Sequence, residues 1–221
     1  MDIMEAIRER HSVRRYKGIP VTDEDALVLE DAIRDCNAES GLSFRLVRNE
    51  PRAFSSPLAK YGSFRGVTDY VAAIGRPGPV FEEKCGYYGE KIVLAAQAAG
   101  MNTCWVGLTY KKVSEYVKPG KGEKLLLVIS VGYGETQGSP RRSKRPEDVS
   151  NVTASSPEWF KKGVEAALLA PTAVNQQKFR LELDGDRVKA AAGIGFYAKT
   201  DLGIVKCHFE AGSGKGPEIW A

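Results

Sequence analysis

A basic segment near the start of the chain, residues 10–17, holds side chains that bind anions. Its sequence is RHSVRRYK. Alternate side chains of an extended chain point to the same side, so Arg10, Ser12 and Arg14 would converge on one spot. Two guanidinium groups and a hydroxyl provide the charge-assisted hydrogen bonds that suit a phosphate. The same residues would also suit a solvated helix end, where cations offset the helix dipole. The spacing leaves both interpretations open.

A second candidate segment, residues 170–177, has the sequence APTAVNQQ and separates a predicted helix from a predicted strand. Pro171 ends the helix, because proline cannot continue it. Small residues would let a flat ligand approach the backbone, and Thr172, Asn175 and Gln177 offer donors and acceptors. A plain polar connection between helix and strand is the alternative interpretation.

A third candidate segment, residues 100–108, has the sequence GMNTCWVGL. Its backbone N–H groups could point at a ligand, and Gly107 would permit a close approach because glycine lacks Cβ. The alternative is a buried strand that a glycine closes.

The elements that must position these segments indicate an α+β fold with a mixed sheet flanked by helices. Capping boxes at Asp2 and Thr22 begin two helices. The continuous apolar run over residues 125–133 predicts a central strand buried on both faces. Further strands are expected at 44–47, 67–74 and 179–183. The remaining predicted helices are a long one before Gly100, a short one over 111–117, one starting at Ser156 and Pro157, and a last one that Asp201 caps and Gly212 closes.

An internal repeat emerges when the sequence is shifted by 135 residues. Residues 29–50 and 164–185 then share six identities in twenty-two positions. Both stretches read as helix, loop and strand, with loops of equal length. The pattern predicts two related halves in one chain, and chance similarity is the alternative.

Composition excludes several classes of protein. With 43% hydrophobic and 27% charged residues, the chain is neither disordered nor fibrous. A net charge of +4 is too small to argue for nucleic-acid binding. The longest apolar runs fall short of the about 20 residues of a membrane span, and the charged first residues do not resemble a signal peptide. Four cysteines without a CxxC pair, and two histidines, predict no metal site and a cytoplasmic location.

Taken together, the three segments resemble the FMN-dependent nitroreductase family. The first match is RHSVRRY at residues 10–16. The second is the helix over residues 91–100 that leads into NTCWVG. The third is the strand ending in VGYGE at residues 131–135, followed by the basic residues Arg142, Lys144 and Arg145. The matched segments follow the family's order over about residues 1–150.

The segment with Pro171, Asn175 and Gln177 is also typical of the family, but it lies far from its usual place. In ordinary members it follows the first helix after the arginine segment, where this chain has CNAESG at residues 36–41. Ordinary members are homodimers in which each FMN contacts both subunits. The chain therefore resembles a single-chain branch that mimics the dimer. This implies one unit over residues 1–221 with intertwined halves of about 1–150 and 151–221, acting as a monomer.

The resemblance implies a role for each segment in holding FMN. Residues of the arginine segment would hold the phosphate, the ribityl chain and the N1/O2 edge: Arg10, His11, Ser12 and Arg14. Residues beside the isoalloxazine ring would be Trp105, Val106, Gly107 and Leu108. Further phosphate contacts would come from Arg142 and Lys144. The other side of the ring would be closed by Pro171, Thr172, Ala173 and Asn175. Two departures, Lys178 for the usual proline and Phe179 for the usual tryptophan, concern the substrate pocket.

The implied activity is hydride transfer from NADH or NADPH, by way of FMN, to a small-molecule acceptor such as a nitroaromatic, a quinone or a flavin. No protein side chain is required as a catalytic acid or base, because the cofactor carries the chemistry. His208 on the last helix is expected to pack at the interface between the two halves, and a catalytic role is the alternative. The alternative is a flavin carrier or sensor without turnover, in which Lys178 or the tail over 212–221 blocks the ring.

Overall fold

Seven α-helices and six β-strands make up the structure, a computed structural model that describes every residue from Met1 to Ala221. The helices are α1 (Ile3–Glu9), α2 (Asp23–Ser40), α3 (Pro57–Tyr61), α4 (Phe81–Ala98), α5 (Pro146–Val149), α6 (Glu158–Ala167) and α7 (Ala198–Ser213). The strands are β1 (Arg45–Val47), β2 (Asp69–Gly75), β3 (Asn102–Val106), β4 (Lys124–Gly132), β5 (Phe179–Asp184) and β6 (Arg187–Ala192).

The chain divides into two compact units, each assembled from separate segments. The sheet unit consists of Glu9–Phe81 and Lys91–Pro140. The helical unit consists of Met1–Arg8, Glu82–Glu90 and Arg141–Ala221. Helix α4 therefore contributes its first half to one unit and its second half to the other.

The sheet unit is built on four strands in the order β1-β2-β4-β3, with all three neighbouring pairs antiparallel. Strand β4 lies between two others, and its residues from Leu127 onward are buried. This confirms the central strand predicted from the continuous apolar run. A parallel bridge between Ser12 and Thr103 adds to the antiparallel ladders. The α+β class and the mixed sheet are therefore confirmed.

Local capping signals determine where several helices begin and end. Asp2 accepts a hydrogen bond from the Glu5 N–H at 2.8 Å, and Thr22 Oγ1 accepts one from the Asp25 N–H at 3.2 Å. Both predicted capping boxes are thus confirmed as helix starts. Gly100, just beyond α4, has a φ of +82°, which an L side chain adopts only with strain.

The helical unit packs α6 against α7 and adds the β5–β6 hairpin. Four aromatic rings form its centre, with neighbouring centroids 5.2 to 6.4 Å apart: Trp159, Phe160, Phe209 and Trp220. Gly163 of α6 faces this cluster, where an added Cβ would lie 2.5 Å from the Phe209 ring. The glycine therefore allows the two helices to approach closely.

Helix α7 differs from the prediction at both ends. It begins at Ala198 after Tyr197, so Asp201 lies inside its first turn and is not its cap. It continues past Gly212 to Ser213, and Gly214 ends it with a φ of +66°. Gly212 has a packing role instead, because a Cβ there would overlap Ala166 of α6.

Two other differences concern short elements. Residues 111–117 contain a turn over 114–116 and not the predicted helix. Strand β6 had no predicted counterpart, because half of its residues are alanines, which are depleted in strands. It pairs with β5 across the turn that the sequence predicts at Asp184 and Gly185.

The C-terminal tail packs within the helical unit. The Trp220 indole N–H donates to Glu210 Oε1 at 2.6 Å, and the Trp220 backbone forms a parallel bridge with Val188 of β6. No helix is both long enough and apolar enough to cross a membrane. All four cysteines are buried thiols, and no group of three or more potential ligands is placed to hold a metal ion.

Candidate functional site

The arginine segment, residues 10–16, runs in an extended conformation beside the end strand β3. The Val13 N–H donates to the Thr103 carbonyl at 3.0 Å, next to the parallel bridge at Ser12. Further along, the Tyr16 N–H donates to the Arg65 carbonyl at 2.9 Å. The segment is therefore held as an extra strand-like element at the edge of the sheet, and not as a helix end.

The side chains of this segment alternate between two faces. Val13 is buried, and a Cβ added to Gly138 would lie 2.7 Å from His11 Cβ and 3.4 Å from a Val13 methyl group. His11 and Val13 thus share the face towards Gly138. By the period-two rule for extended chains, Arg10, Ser12 and Arg14 occupy the other face. His11 lies on the Gly138 side of the segment.

Cys104 of β3 is hydrogen-bonded to Ser12 and lies within the electrostatic range of Arg10 and Arg14. Burial raises the pKa of the Cys104 thiol, and three neighbours oppose that shift: the Arg14 charge, a hydrogen bond with Ser12 and the Arg10 charge. All three therefore lie close enough to act on a single sulfur atom. The three residues whose convergence the spacing predicts therefore lie in the neighbourhood of one thiol.

The two arginines differ in exposure. Arg10 is only 1% exposed, so its permanent charge acts through a medium of low dielectric constant. Arg14 is exposed, and its guanidinium carbon lies 5.9 Å from the centre of the Phe64 ring. No carboxylate forms an ion pair with Arg14, so its guanidinium N–H edge can accept an anionic ligand. This donor set fits a phosphate or an anionic heterocycle.

The end of β3 carries the next group of predicted residues. Trp105 is half-buried, Val106 is part of the core, and Leu108 is 68% exposed just beyond the strand. Gly107 connects them where the chain leaves the sheet. Cys104, in the same strand, lies beside the arginine segment, so the end of β3 and the arginine segment lie in the same part of the sheet unit.

Loop 171–177, in the helical unit, has a strained backbone. Val174, Asn175 and Gln177 have φ values of +46°, +55° and +46°. Asparagine tolerates this region, but a β-branched valine there is unusual. Each such residue costs on the order of 1–3 kcal/mol and persists only where its surroundings impose the conformation.

Asp201 supplies part of that constraint. Its carboxylate accepts the Ala173 N–H at 3.0 and 3.1 Å and the Gln176 side-chain amide at 2.7 Å. Burial raises the pKa of Asp201 to about 6, although the hydrogen bonds from Gln176 and Ala173 oppose the shift. A carboxylate at 3% exposure thus holds the start and the middle of the loop together.

The basic segment around Arg142 completes this cluster. The Arg142 carbonyl accepts hydrogen bonds from the side-chain amides of Asn175 at 2.9 Å and Gln177 at 3.0 Å. The Lys144 N–H donates to Gln177 Oε1 at 2.8 Å, and the Lys144 ammonium group to the Gln177 carbonyl at 2.9 Å. Thr172 Oγ1 accepts the Gln177 N–H at 3.0 Å. The predicted residues Arg142, Lys144, Thr172 and Asn175 therefore belong to one hydrogen-bonded cluster, in which Lys144 already has a partner.

Sequence reasoning missed the residues that hold this cluster. The sequence predicts Asp201 as a helix cap and gives Gln176 no specific role. One signal could have identified Asp201. It is an acidic residue in the first turn of a helix, next to the apolar residues Leu202 and Val205 of the buried face.

His208 is fully buried and belongs to the interior of the helical unit. Its Nε2 lies 2.9 Å from Glu90 Oε1, and its Nδ1 lies 3.2 Å from the Ala166 carbonyl. Both ring nitrogens therefore have protein partners, as expected of a packing residue.

Comparison with known proteins identifies the family. The model described as "Putative TM nitroreductase" matches residues 2–213. Among solved structures, a putative nitroreductase from Thermotoga maritima aligns with a TM-score of 0.69 at 23% identity, over 96% of this chain and 83% of that chain. No curated protein matches the chain.

Two further structures with the same fold are described as complexes with FMN. The one from Desulfovibrio desulfuricans has a TM-score of 0.51 at 20% identity, over 71% of this chain and 98% of its own. The one from Exiguobacterium sibiricum has a TM-score of 0.50 at 18% identity, over 67% and 95%. Because the family model covers nearly the whole sequence, the chain belongs to this family of nitroreductases.

Proposed function

We propose that this protein is an FMN-dependent oxidoreductase that uses NADH or NADPH as electron donor and reduces a small-molecule acceptor. The observation that carries the proposal is the convergence of Arg10, Ser12 and Arg14 on one face of an extended segment. Membership of a nitroreductase family, and the FMN complexes of proteins with the same fold, support the identity of the cofactor.

The arginine segment supplies what the charged parts of FMN require. A phosphate carries close to two negative charges, and guanidinium groups bind it through bidentate hydrogen bonds. A cation near N1 also stabilises the anionic reduced flavin. We assign these roles to Arg10 and Arg14, with Ser12 as a hydroxyl donor. Arg142 is an exposed guanidinium without an ion-pair partner, so it is the better candidate in its segment for a further phosphate contact.

Loop 171–177 supplies a backbone that is fixed without a ligand. Its hydrogen bonds to Asp201 and Arg142 hold the strained residues in place, so little further ordering is needed on binding. Pro171, Thr172 and Ala173 have small side chains that leave room for a flat ring. We assign them, together with Asn175, to one side of the isoalloxazine, and Trp105 to Leu108 to another part of its border.

When bound, FMN supplies the hydride and electron transfer chemistry, and the protein supplies binding, orientation and electrostatics. The side chains described above hold the cofactor and balance its charge. None of them is required to act as an acid or a base. The acceptor classes that the family suggests are nitroaromatics, quinones and flavins.

The internal repeat supports a single-chain arrangement. Helix α2 begins at residue 23 and α6 at residue 158, a shift of 135, and β1 shifted by the same amount falls within β5. In the first copy the helix continues to Ser40. In the second copy the helix ends at Ala167, and Pro171 prevents it from continuing. We therefore propose an internal duplication in which one monomeric chain binds one FMN.

An FMN titration tests the cofactor proposal. Quenching of flavin fluorescence would be measured for the wild type and for Arg14→Ala. Losing a charge-assisted hydrogen bond should weaken FMN binding roughly tenfold or more. Arg34→Ala is the matched control, because Arg34 is an exposed arginine of the sheet unit whose partner is Asp31. Equal FMN affinity in all three proteins would contradict the assignment.

A further inference from the structure

An exposed apolar surface lies beside loop 171–177. Val174 is 92% exposed, Ile194 96% and Phe196 77%. They are the most exposed large hydrophobic side chains of the helical unit. A single exposed apolar residue is ordinary, whereas several in one region can form a binding surface. We name Ile194 and Phe196, with loop 193–197 that carries them, the apolar loop.

The apolar loop is hydrogen-bonded to Gln176, which lies in loop 171–177, and to Lys178, which follows it. The Gln176 amide donates both to the Phe196 carbonyl at 2.8 Å and to Asp201 at 2.7 Å. The Lys178 ammonium group donates to the Ile194 carbonyl at 2.9 Å, and the Lys178 carbonyl accepts the Gly193 N–H at 2.8 Å. One amide side chain thus joins the apolar loop to the carboxylate that holds the strained loop.

Glycines make this close contact possible. A Cβ on Gly195 would overlap the Gln176 side-chain amide and lie 3.2 Å from Lys178 Cδ. A Cβ on Gly193 would lie 3.2 Å from Lys178 Cβ. The backbone of the apolar loop therefore lies directly on the side chains of Gln176 and Lys178. The side chains of Ile194 and Phe196 are left in solvent.

We propose that Ile194 and Phe196 contact the electron acceptor and that Lys178 is the residue that positions them. The proposal rests on the proposed function, because it assigns the acceptor to the neighbourhood of the loop given to the flavin. Lys178 stands where the family pattern has proline. Proline has no side-chain donor, so this fastening of the Ile194 carbonyl depends on the lysine.

The chemistry of the surface selects its occupant. Two or three side chains expose a few hundred Å² at most, whereas a stable protein interface needs about 800 Å² from each partner. The Lys178 charge is directed at the Ile194 carbonyl, so the surface offers an aromatic ring and aliphatic groups rather than a cation. A flat, uncharged aromatic molecule that stacks on Phe196 matches it best. A quinone fits this description, whereas free flavin phosphate does not.

The test uses the FMN-loaded protein and menadione, a naphthoquinone, as the probe. Binding of menadione to the oxidised protein would be followed through the change in flavin absorption, and KM and kcat would be measured with saturating NADH or NADPH. Phe196→Ala should raise the menadione Kd and KM roughly tenfold, because a stacked aromatic contact is lost. Lys178→Met, which keeps the aliphatic stem, should raise both about threefold with kcat nearly unchanged.

Three comparisons separate this role from a general structural one. The double variant should weaken menadione binding by less than the product of the single effects, because Lys178 acts through Phe196. Phe196→Leu, which keeps an apolar side chain without the ring, should have an intermediate effect. Ile3→Ala, at another exposed apolar residue of the same unit, should have none.

The outcomes distinguish this inference from the proposed function. A wild type that binds FMN and accepts electrons, with menadione binding unchanged in Phe196→Ala, would overturn the inference alone. A wild type that does not bind FMN would overturn both. A dimer in solution that Phe196→Ala converts to a monomer would show that the surface binds a second copy, and would also overturn the inference.

Discussion

Replacing Asp201 with asparagine should change how the stability of the protein depends on pH. Asp201 is buried, and burial raises its pKa from the ordinary 3.8 to about 6. Between these two values the folded state holds a proton that the unfolded state has released. By linkage, the stability contributed by this group is fully present below pH 3.8 and is lost as the pH rises through about 6.

The magnitude follows from the size of the shift. A difference of about two pKa units corresponds to roughly 3 kcal/mol. Asparagine does not titrate, so the variant does not lose this stability as the pH rises. Its amide has one acceptor oxygen for two donors, Ala173 and Gln176, which adds a destabilisation that does not vary with pH. Most of this shift falls between pH 4 and 7, so the stability of the variant relative to the wild type should rise by roughly 2 kcal/mol over that range.

Equilibrium unfolding in urea, followed by circular dichroism at several pH values in this range, would measure the difference. Asp31→Asn is the control, because Asp31 lies on the surface of α2 in an exposed pair with Arg34. The difference between this control and the wild type should stay nearly constant. If the wild type and Asp201→Asn lost or gained stability in parallel, the cost assigned to the buried charge would be refuted.

Three other substitutions test the packing. Gly86→Ala should destabilise the protein by about 1–3 kcal/mol in thermal unfolding, because the new Cβ would overlap the Thr200 carbonyl where α4 meets α7. Gly78→Ala is the control, because no atom lies near its Cβ. Equal melting temperatures of the two variants would contradict the predicted overlap. Glu50→Gln should cost about 1–3 kcal/mol in urea unfolding, because this buried carboxylate accepts backbone N–H groups of the following turn; an unchanged midpoint would argue against it. Trp220→Phe keeps a ring but loses the indole hydrogen bond, so it should cost about 1 kcal/mol, and a fully stable variant would show that the bond contributes nothing.

The parts of the fold that the sequence predicts are those with local causes. Thr22 begins α2 through a hydrogen bond three residues away, and Gly100 follows α4 because it adopts a positive φ. The alternation of side chains in the arginine segment is also predictable, because in an extended chain it depends only on adjacent residues. Its placement beside Cys104 adds a contact that no local pattern reveals.

The strained loop shows what local patterns cannot predict. The positive φ of Val174 opposes its own preference and depends on Asp201, which lies about 28 residues later and bonds Ala173. The same bond explains the error at α7. Asp201 resembled a cap because aspartate is favoured there, but its carboxylate is used by the loop, and the helix starts one turn earlier.

Anaerobic mixing of the FMN-loaded protein with NADH, and separately with NADPH, tests the central claim most directly. The visible absorption of the flavin would be recorded before and after the addition of each donor, and again after the addition of menadione. The proposed function predicts that at least one donor removes the absorption and that menadione restores it. A protein that binds FMN but stays yellow with both donors would contradict an oxidoreductase and indicate a flavin carrier or sensor.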